Sequence, residues 1–443
     1  MKMNRIHGKA TTLFLVSLMS IASLSAASTI ANAADAQPGQ TAIGDKALAT
    51  PLAVIAEASA APQSALAATV REQLGSAAQL SDAAGKFPVE ISVARGSLQK
   101  VADGLKGQGL KELSLVESGP LPTIYTSVTA QELALIGKLP GVKRVAPADS
   151  GQSTDAGSVT SQGDAAIKGP EARQTTAAKP VSANGAGVYV GVISDSFNIK
   201  TVQVDDPDNP GQKKAVPGLK AAQDSGDLPA TVKILREGSA TATDEGQAMA
   251  QIIYDEAPGI TKLAFSTSGG IGKAAAINSL VNEGVKVIAD DIYNLSDPVY
   301  QDGAAAIAAN NAIAQGVIYV ASAGNRCGNS AFETAPNFVA DPDAQEADPN
   351  KPVAPELEDF GNGVTTKKIA TIPVKGKVNY DLQWKEGWGN AQSDLGLRLV
   401  DSTGALLTAT SYSDADNVAS GIPQEGVSYI NTTGAAVDVY AQI

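Results

Sequence analysis

Four polar side chains stand where short apolar runs give way to loops or helices. Asp195 closes "GVYVGVISD", Asp244 and Glu245 open "DEGQAMAQIIYDEA", and Asn325 ends "VIYVASAGN". Two nearby carboxylates can do general acid–base work, and a side-chain amide can donate to a developing oxyanion. Each residue also has a structural reading. Asp195 suits a helix cap or a loop turn, and acids in a first helical turn complement the helix dipole. The only histidine in the 443 residues is His7, near the N-terminus. Beyond it, Ser-His-Asp triads, Cys-His pairs and histidine-ligated metal sites are excluded.

Other motifs carry less. "VDDPDNPGQKK", residues 204–214, is acidic enough to suggest calcium, but Pro210 occupies a ligand position, so a solvated turn is expected and no cofactor is required. "FSTSGGIGK", residues 265–273, fails as a phosphate loop, with Thr267 at the first glycine position and Ala274 at the Ser/Thr position. Ser268 within it reads as a loop serine rather than a nucleophile. The single cysteine, Cys327, allows no internal disulfide and is expected to be a small buried apolar group.

The elements that must position these residues follow from pattern and composition. Lys2, Arg5 and Lys9 precede an apolar run from about Leu13 to Leu24, and Ala31-Asn32-Ala33 offers a small-residue cleavage site. Residues 1–33 therefore read as a secretory signal peptide, and no later run is long enough to cross a bilayer. Removing the three basic residues leaves 30 basic against 46 acidic, a net charge near −16. That balance argues against nucleic acid or an anionic membrane as partner.

Residues 34–86 form an Ala/Ser-rich leader. Between 87 and 150 the order βαββαβ predicts a ferredoxin-like unit, with "TAQELALIGKLPG" opening on a Thr cap. Residues 151–186, polar and Gly/Ser-rich without periodicity, read as a linker. From 187 to 338, apolar strands such as "KLAFS" and "VKVIADD" alternate with helical runs, the pattern of a doubly wound parallel sheet. Functional residues in such sheets gather at the carboxyl ends of the strands. From 339 to 443, "VNYDLQW", "LGLRLVD" and "VDVYAQI" alternate strictly, as in a β-sandwich. The last run reaches Ile443, so the chain is expected to be cut short.

Three motifs in order carry a resemblance. "GVYVGVISDSFN" is similar to the strand bearing the catalytic aspartate of subtilisin-like serine peptidases. "DEGQAMAQIIYDEAPG" resembles their histidine helix and the Ala-Pro-Gly turn after it, and "VIYVASAGN" resembles the strand ending in the oxyanion asparagine. The resemblance implies a subtilisin-like α/β peptidase domain over 187–338, a propeptide-like unit over 87–150, and a sandwich-like insertion from 339. It implies Asp195 and Glu245 as the acid–base pair, Glu245 standing where the family has histidine, and Asn325 as oxyanion donor. "VKVIADDIYN" matches the strand that pairs with substrate, which implies Asp291, Ile292 and Tyr293 as substrate-binding residues. Sedolisins, on a similar fold, use a glutamate and an aspartate with their serine, but Met249 stands where their aspartate would follow. No Gly-Thr-Ser motif follows Asn325, so the nucleophile is expected beyond Ile443. The implied function is secreted endopeptidase action on peptides or proteins, with an intramolecular propeptide. The competing reading is a catalytically inactive, secreted peptidase-like binding protein.

Overall fold

The computed structural model describes residues 13–20, 52, 86–147, 161, 163–175, 182–206, 209, 211–324, 331–341, 356–408 and 411–443. The fold is mixed α/β, with one five-stranded parallel sheet and several antiparallel sheets. Asn325 and Cys327 lie outside the described residues, as does most of the segment read as a signal peptide. One piece of that segment, β1 (Leu13–Ser20), is an antiparallel strand that pairs with residues 331–334 and 377–384. In a chain lacking residues 1–33, that lane of the sheet lies open.

The region after the leader is built from β2 (Phe87–Val93), α1 (Leu98–Gly107), β3 (Ser114–Val116), β4 (Thr123–Val128), α2 (Ala130–Ile136) and β5 (Val142–Pro147). Its sheet runs in the order β3-β4-β2-β5, all antiparallel. Alternate residues Val89, Ile91 and Val93 face Leu98, Val101, Leu105, Leu133 and Ile136 in a core of their own, which also takes Leu52 from the leader. Thr129 caps α2 as expected. Its hydroxyl accepts from the Glu132 main chain, and the Glu132 carboxylate accepts from the Thr129 N–H at 2.7 Å.

The expected linker contains two short helical turns, α3 (Gly163–Ala166) and α4 (Gly169–Arg173). The Arg173 guanidinium donates to both Asp164 oxygens at 2.6 Å and to the Glu256 carbonyl at 2.7 Å. Polar composition without periodicity hid this, because the tie is one arginine rather than an apolar face.

The parallel sheet has the order β12-β11-β6-β10-β9. Its elements are β6 (Tyr189–Ser194), the hairpin β7 (Thr201–Asp205) and β8 (Lys213–Pro217), α5 (Gly218–Ser225), β9 (Thr231–Arg236), α6 (Glu245–Glu256), β10 (Lys262–Thr267), α7 (Lys273–Glu283), β11 (Val287–Asp290), α8 (Ala304–Ala314) and β12 (Ile318–Ala321). Helices cover both faces. Val190, Val192, Leu263 and Phe265 pack under α6, while Ile193, Ala264 and Ile288 pack under α7 and α8. β12 is the sheet's edge, and Ile318 on it is 62% exposed. In the hairpin, Lys213 pairs with Asp205 at 2.7 Å and Lys214 with Asp206 at 3.5 Å. Asp205 and Asp206 of the "VDDPDNP" run thus have cationic side chains of their own.

Sandwich strands begin at Ala331, ahead of the expected boundary at 339. They are β13 (Ala331–Thr334), β14 (Phe338–Ala340), β15 (Glu356–Glu358), β16 (Lys367–Ile372), β17 (Lys377–Trp384), β18 (Leu397–Val400), β19 (Tyr412–Ser413), a helical turn α9 (Asn417–Ser420), β20 (Gln424–Ile430) and β21 (Val437–Gln442). Two four-stranded sheets, β13-β1-β17-β20 and β16-β21-β18-β19, enclose Val378, Tyr380, Leu382, Trp384, Leu399 and Val439.

Candidate functional site

Asp195 and Glu245 meet at the carboxyl end of β6, on a corner that the first turn of α6 completes. The meeting is set by backbone. Asp244, just before α6, takes the left-handed conformation at φ 65°, which turns the chain sharply into the helix. The Glu245 main-chain N–H then donates to Asp195 Oδ1 at 3.1 Å. Thr243 donates to Asp195 Oδ2 through its N–H at 2.7 Å and its hydroxyl at 2.6 Å. Asp195 therefore caps α6 from a neighbouring strand, satisfying donors that a helix start leaves orphaned.

The Glu245 carboxylate accepts from the Ser194 hydroxyl at 2.7 Å, and Glu245 is 7% exposed. Gly246 allows this close seating. A Cβ there would lie 2.4 Å from the Phe265 ring and 2.7 Å from the Ser196 carbonyl. Asp244, 9% exposed, faces the loop after β6. It accepts from the Ser196 hydroxyl at 2.8 Å and from the Ile199 and Lys200 N–H groups at 2.9 and 2.7 Å. Glu237 was not singled out from the sequence. It receives the Phe197, Asn198 and Gly238 N–H groups at 2.8 to 2.9 Å. Four carboxylates thus shape one corner, mostly by holding main-chain amides.

The expected substrate-binding segment follows β11. The Asp291 N–H donates to the Ile193 carbonyl at 3.0 Å, extending the sheet by one residue. Ile292 is buried. Its N–H donates to Asp290 Oδ1 at 2.9 Å, and its carbonyl accepts from the Lys273 ammonium. Lys273 also lies 3.2 Å from Asp290 Oδ2, which accepts from the Tyr319 hydroxyl at 2.5 Å. Burial first, and then the charge of Asp290, pushes the Tyr319 hydroxyl far above its ordinary range. The main-chain groups of Ile292 are thus held by the protein's own side chains. This lysine–aspartate–tyrosine knot was missed from the sequence. The signal present was the doubled acid in "VIADD" at a strand end.

The structure brings Asp195 and Glu245 together. Asp291, Ile292 and Tyr293 sit two strands from the β10 end, on the far side of β6. Asn325 lies outside the described residues. Ser268 is 2% exposed, and its hydroxyl finds no partner among the described residues. It continues the alternation of Ala264, whose face packs on α7 rather than on α6.

No protein-family model matches the sequence, and no curated protein matches it. Among solved structures, the chain is similar to the crystal structure of the epidermin leader peptide processing serine protease (EpiP) from Staphylococcus aureus. The identity is 14%, the match covers 54% of this chain and 60% of that chain, and the TM-score is 0.28. A likeness of that size assigns neither fold nor activity.

Proposed function

We propose that this chain is an exported subtilisin-like serine endopeptidase. Glu245 acts as general base with Asp195 beside it, Asn325 donates to the oxyanion, the unit over 87–150 serves as an intramolecular propeptide, and the nucleophilic serine is not among the residues of this sequence. One observation carries the reading. Asp195 and Glu245, 50 residues apart, are joined by a hydrogen bond at the carboxyl end of a central parallel strand, where α/β sheets keep their chemistry. Asp195 fixes the first turn of α6, and that turn sets the direction of the Glu245 side chain. A carboxylate so held can take the proton of an attacking hydroxyl as it adds to the scissile carbonyl, and return it to the leaving amine.

The test is Glu245→Gln in a form of the exported protein that carries the nucleophilic serine, assayed on casein and by fluorophosphonate labelling from about pH 4 to about pH 8. The expected outcome is a fall in kcat of about a hundredfold or more, the usual worth of a general base. An unchanged kcat rejects Glu245 as the base. Export itself is tested by N-terminal sequencing, with the mature chain expected to begin at Ala34.

A second reading is a binding protein that holds peptides without cutting them. Serine burial favours it: Ser194, which donates to Glu245, is 0% exposed, and Ser268 is 2% exposed. Peptide binding with neither turnover nor probe labelling would select it.

A further inference from the structure

Strand β1 (Leu13–Ser20) lies inside a sandwich sheet, although its residues belong to the segment read as cleaved on export. It pairs antiparallel with β17 along its whole length, from Leu13 opposite Trp384 to Ser20 opposite Lys377. On its other side it pairs with β13 over Leu13–Val16 only. β13 and β17 are therefore parallel to each other and one full lane apart, about 10 Å at two strand spacings. Once residues 1–33 are removed, neither strand can pair with the other across that gap.

An empty lane is costly here because β17 is covered on both faces. Val378, Tyr380, Leu382 and Trp384 belong to the sandwich core. On the opposite face, Asp381 and Gln383 are 5% and 1% exposed. They lie under a seam where three parts of the chain meet. Arg144 of β5 donates to Gln424 Oε1 at 2.7 Å, and Gln424 Nε2 donates to Asp381 Oδ1 at 2.6 Å. Gln383 Nε2 donates to Asp381 Oδ2 at 2.9 Å and to the Leu295 and Asp297 carbonyls of the α/β region at 3.0 Å. Main-chain N–H and C=O groups left unpaired between two covered faces lose their hydrogen bonds without gaining full access to water.

The register states what the lane accepts. The positions opposite Trp384, Leu382, Tyr380 and Val378 share the core face, and in β1 they are Leu13, Leu15, Ser17 and Met19. The positions opposite Gln383 and Asp381, on the face under the seam, are Phe14 and Val16. Those opposite Asn379 and Lys377, both half-buried, are Leu18 and Ser20. The half of the lane covered on both faces thus takes four consecutive apolar residues, Leu13–Val16.

We infer that in the exported chain this lane is a peptide-acceptor site. It takes an extended segment of another polypeptide by strand addition, antiparallel to β17, with consecutive apolar residues at the Trp384 end. A second mature copy has lost its own residues 13–20 and cannot donate the strand that fits. The inference rests on the export reading through the removal of residues 1–33 alone, and not on the roles of Asp195 and Glu245.

The probe is a fluorescein-labelled peptide of residues 13–20, flanked by lysines for solubility. Its anisotropy is read with the chain begun at Ala34 and with the whole 443-residue chain. The shortened chain should bind it saturably, one peptide per chain, and about tenfold or more tighter than the whole chain, whose lane is filled. A peptide carrying Val16→Pro cannot complete the ladder inside a sheet and should bind about tenfold or more weaker. Absence of saturable binding, or equal binding of the two peptides, overturns the proposal. So does a shortened chain that dimerises in sedimentation and stays dimeric with peptide present, which would put a second copy in the lane. Should the shortened chain fail to fold alone, recovery of its circular dichroism on refolding with the unsubstituted peptide but not the proline peptide supports the proposal, and no recovery overturns it. An uncut N-terminus on the exported protein overturns the proposal together with the export reading, whereas a cut N-terminus without peptide binding overturns the proposal alone.

Discussion

Two acid-rich places in this protein are built by opposite means. At the start of α6, Asp195, Asp244 and Glu237 are met by main-chain amides and hydroxyls drawn from residues 194–245. At the seam, Asp381 is met by side-chain amides from β17 and β20, one of which also accepts from Arg144 of β5. The first cluster is local, and its donors stay in place as long as the α/β region is folded. The second lies within the paired strands β17 and β20 and is reached from β5 only through Gln424. Carboxylates held by backbone shape a corner, whereas a carboxylate held by side-chain amides shares those amides with the neighbouring unit.

The largest effect that would break this contrast is expected at Asp244. Asp244→Ala would orphan the Ile199 and Lys200 N–H groups and leave the Ser196 hydroxyl only its longer bond to Asp195, so urea denaturation should show a loss of about 3 kcal/mol or more. A loss near zero would mean that the corner does not depend on its acids. Gly246→Ala comes next. The new methyl meets the Phe265 ring, and a cost of about 2 to 3 kcal/mol is expected from the same measurement.

The seam should then show itself through pH. Asp381 and Glu425 are both raised, so their contribution to stability is full below the ordinary carboxylate range. It declines with rising pH and is gone once they ionise near 8 and 7. The unfolding free energy from urea denaturation should therefore fall from about pH 5 to about pH 8, by about 2 kcal/mol. The double variant Asp381→Asn, Glu425→Gln should show a flatter profile. The smallest effect serves as a control. Lys220 and Asp224 form an exposed pair one helical turn apart, and Lys220→Ala should cost no more than about 0.5 kcal/mol.

Much of the fold was legible because its patterns are strong. The alternation of "VNYDLQW" gave the core residues of β17, and the apolar runs separated by helices gave the five parallel strands. The approach of Asp195 to Glu245 followed from motif order. What the sequence could not convey was docking. In β17 the polar alternates Asp381 and Gln383 read as a solvent face, and that face is covered by a unit more than two hundred residues away. Conversely, "VIYVASAGN" reads as a buried strand, yet its place at the edge of the sheet leaves Ile318 exposed. The hairpin of β7 and β8 was hidden because its arms are short and mostly exposed, so only the turn between them carried a signal.

The bond from Arg144 to Gln424 spans 280 residues, and that separation sets an order of events. The core around Val89, Ile91 and Leu133, with Leu52 upstream, is fully synthesised once the ribosome has passed β5. Its partners on β17 and β20 are synthesised far later. At about 5 to 20 residues per second, the early unit waits on the order of ten seconds or more with its arginine uncommitted. The late closure adds long-range contacts of the kind that slow folding. The unit over 86–147 is thus positioned to act as a template already in shape when the sandwich strands arrive. A chain begun after residue 147 should refold more slowly than the whole.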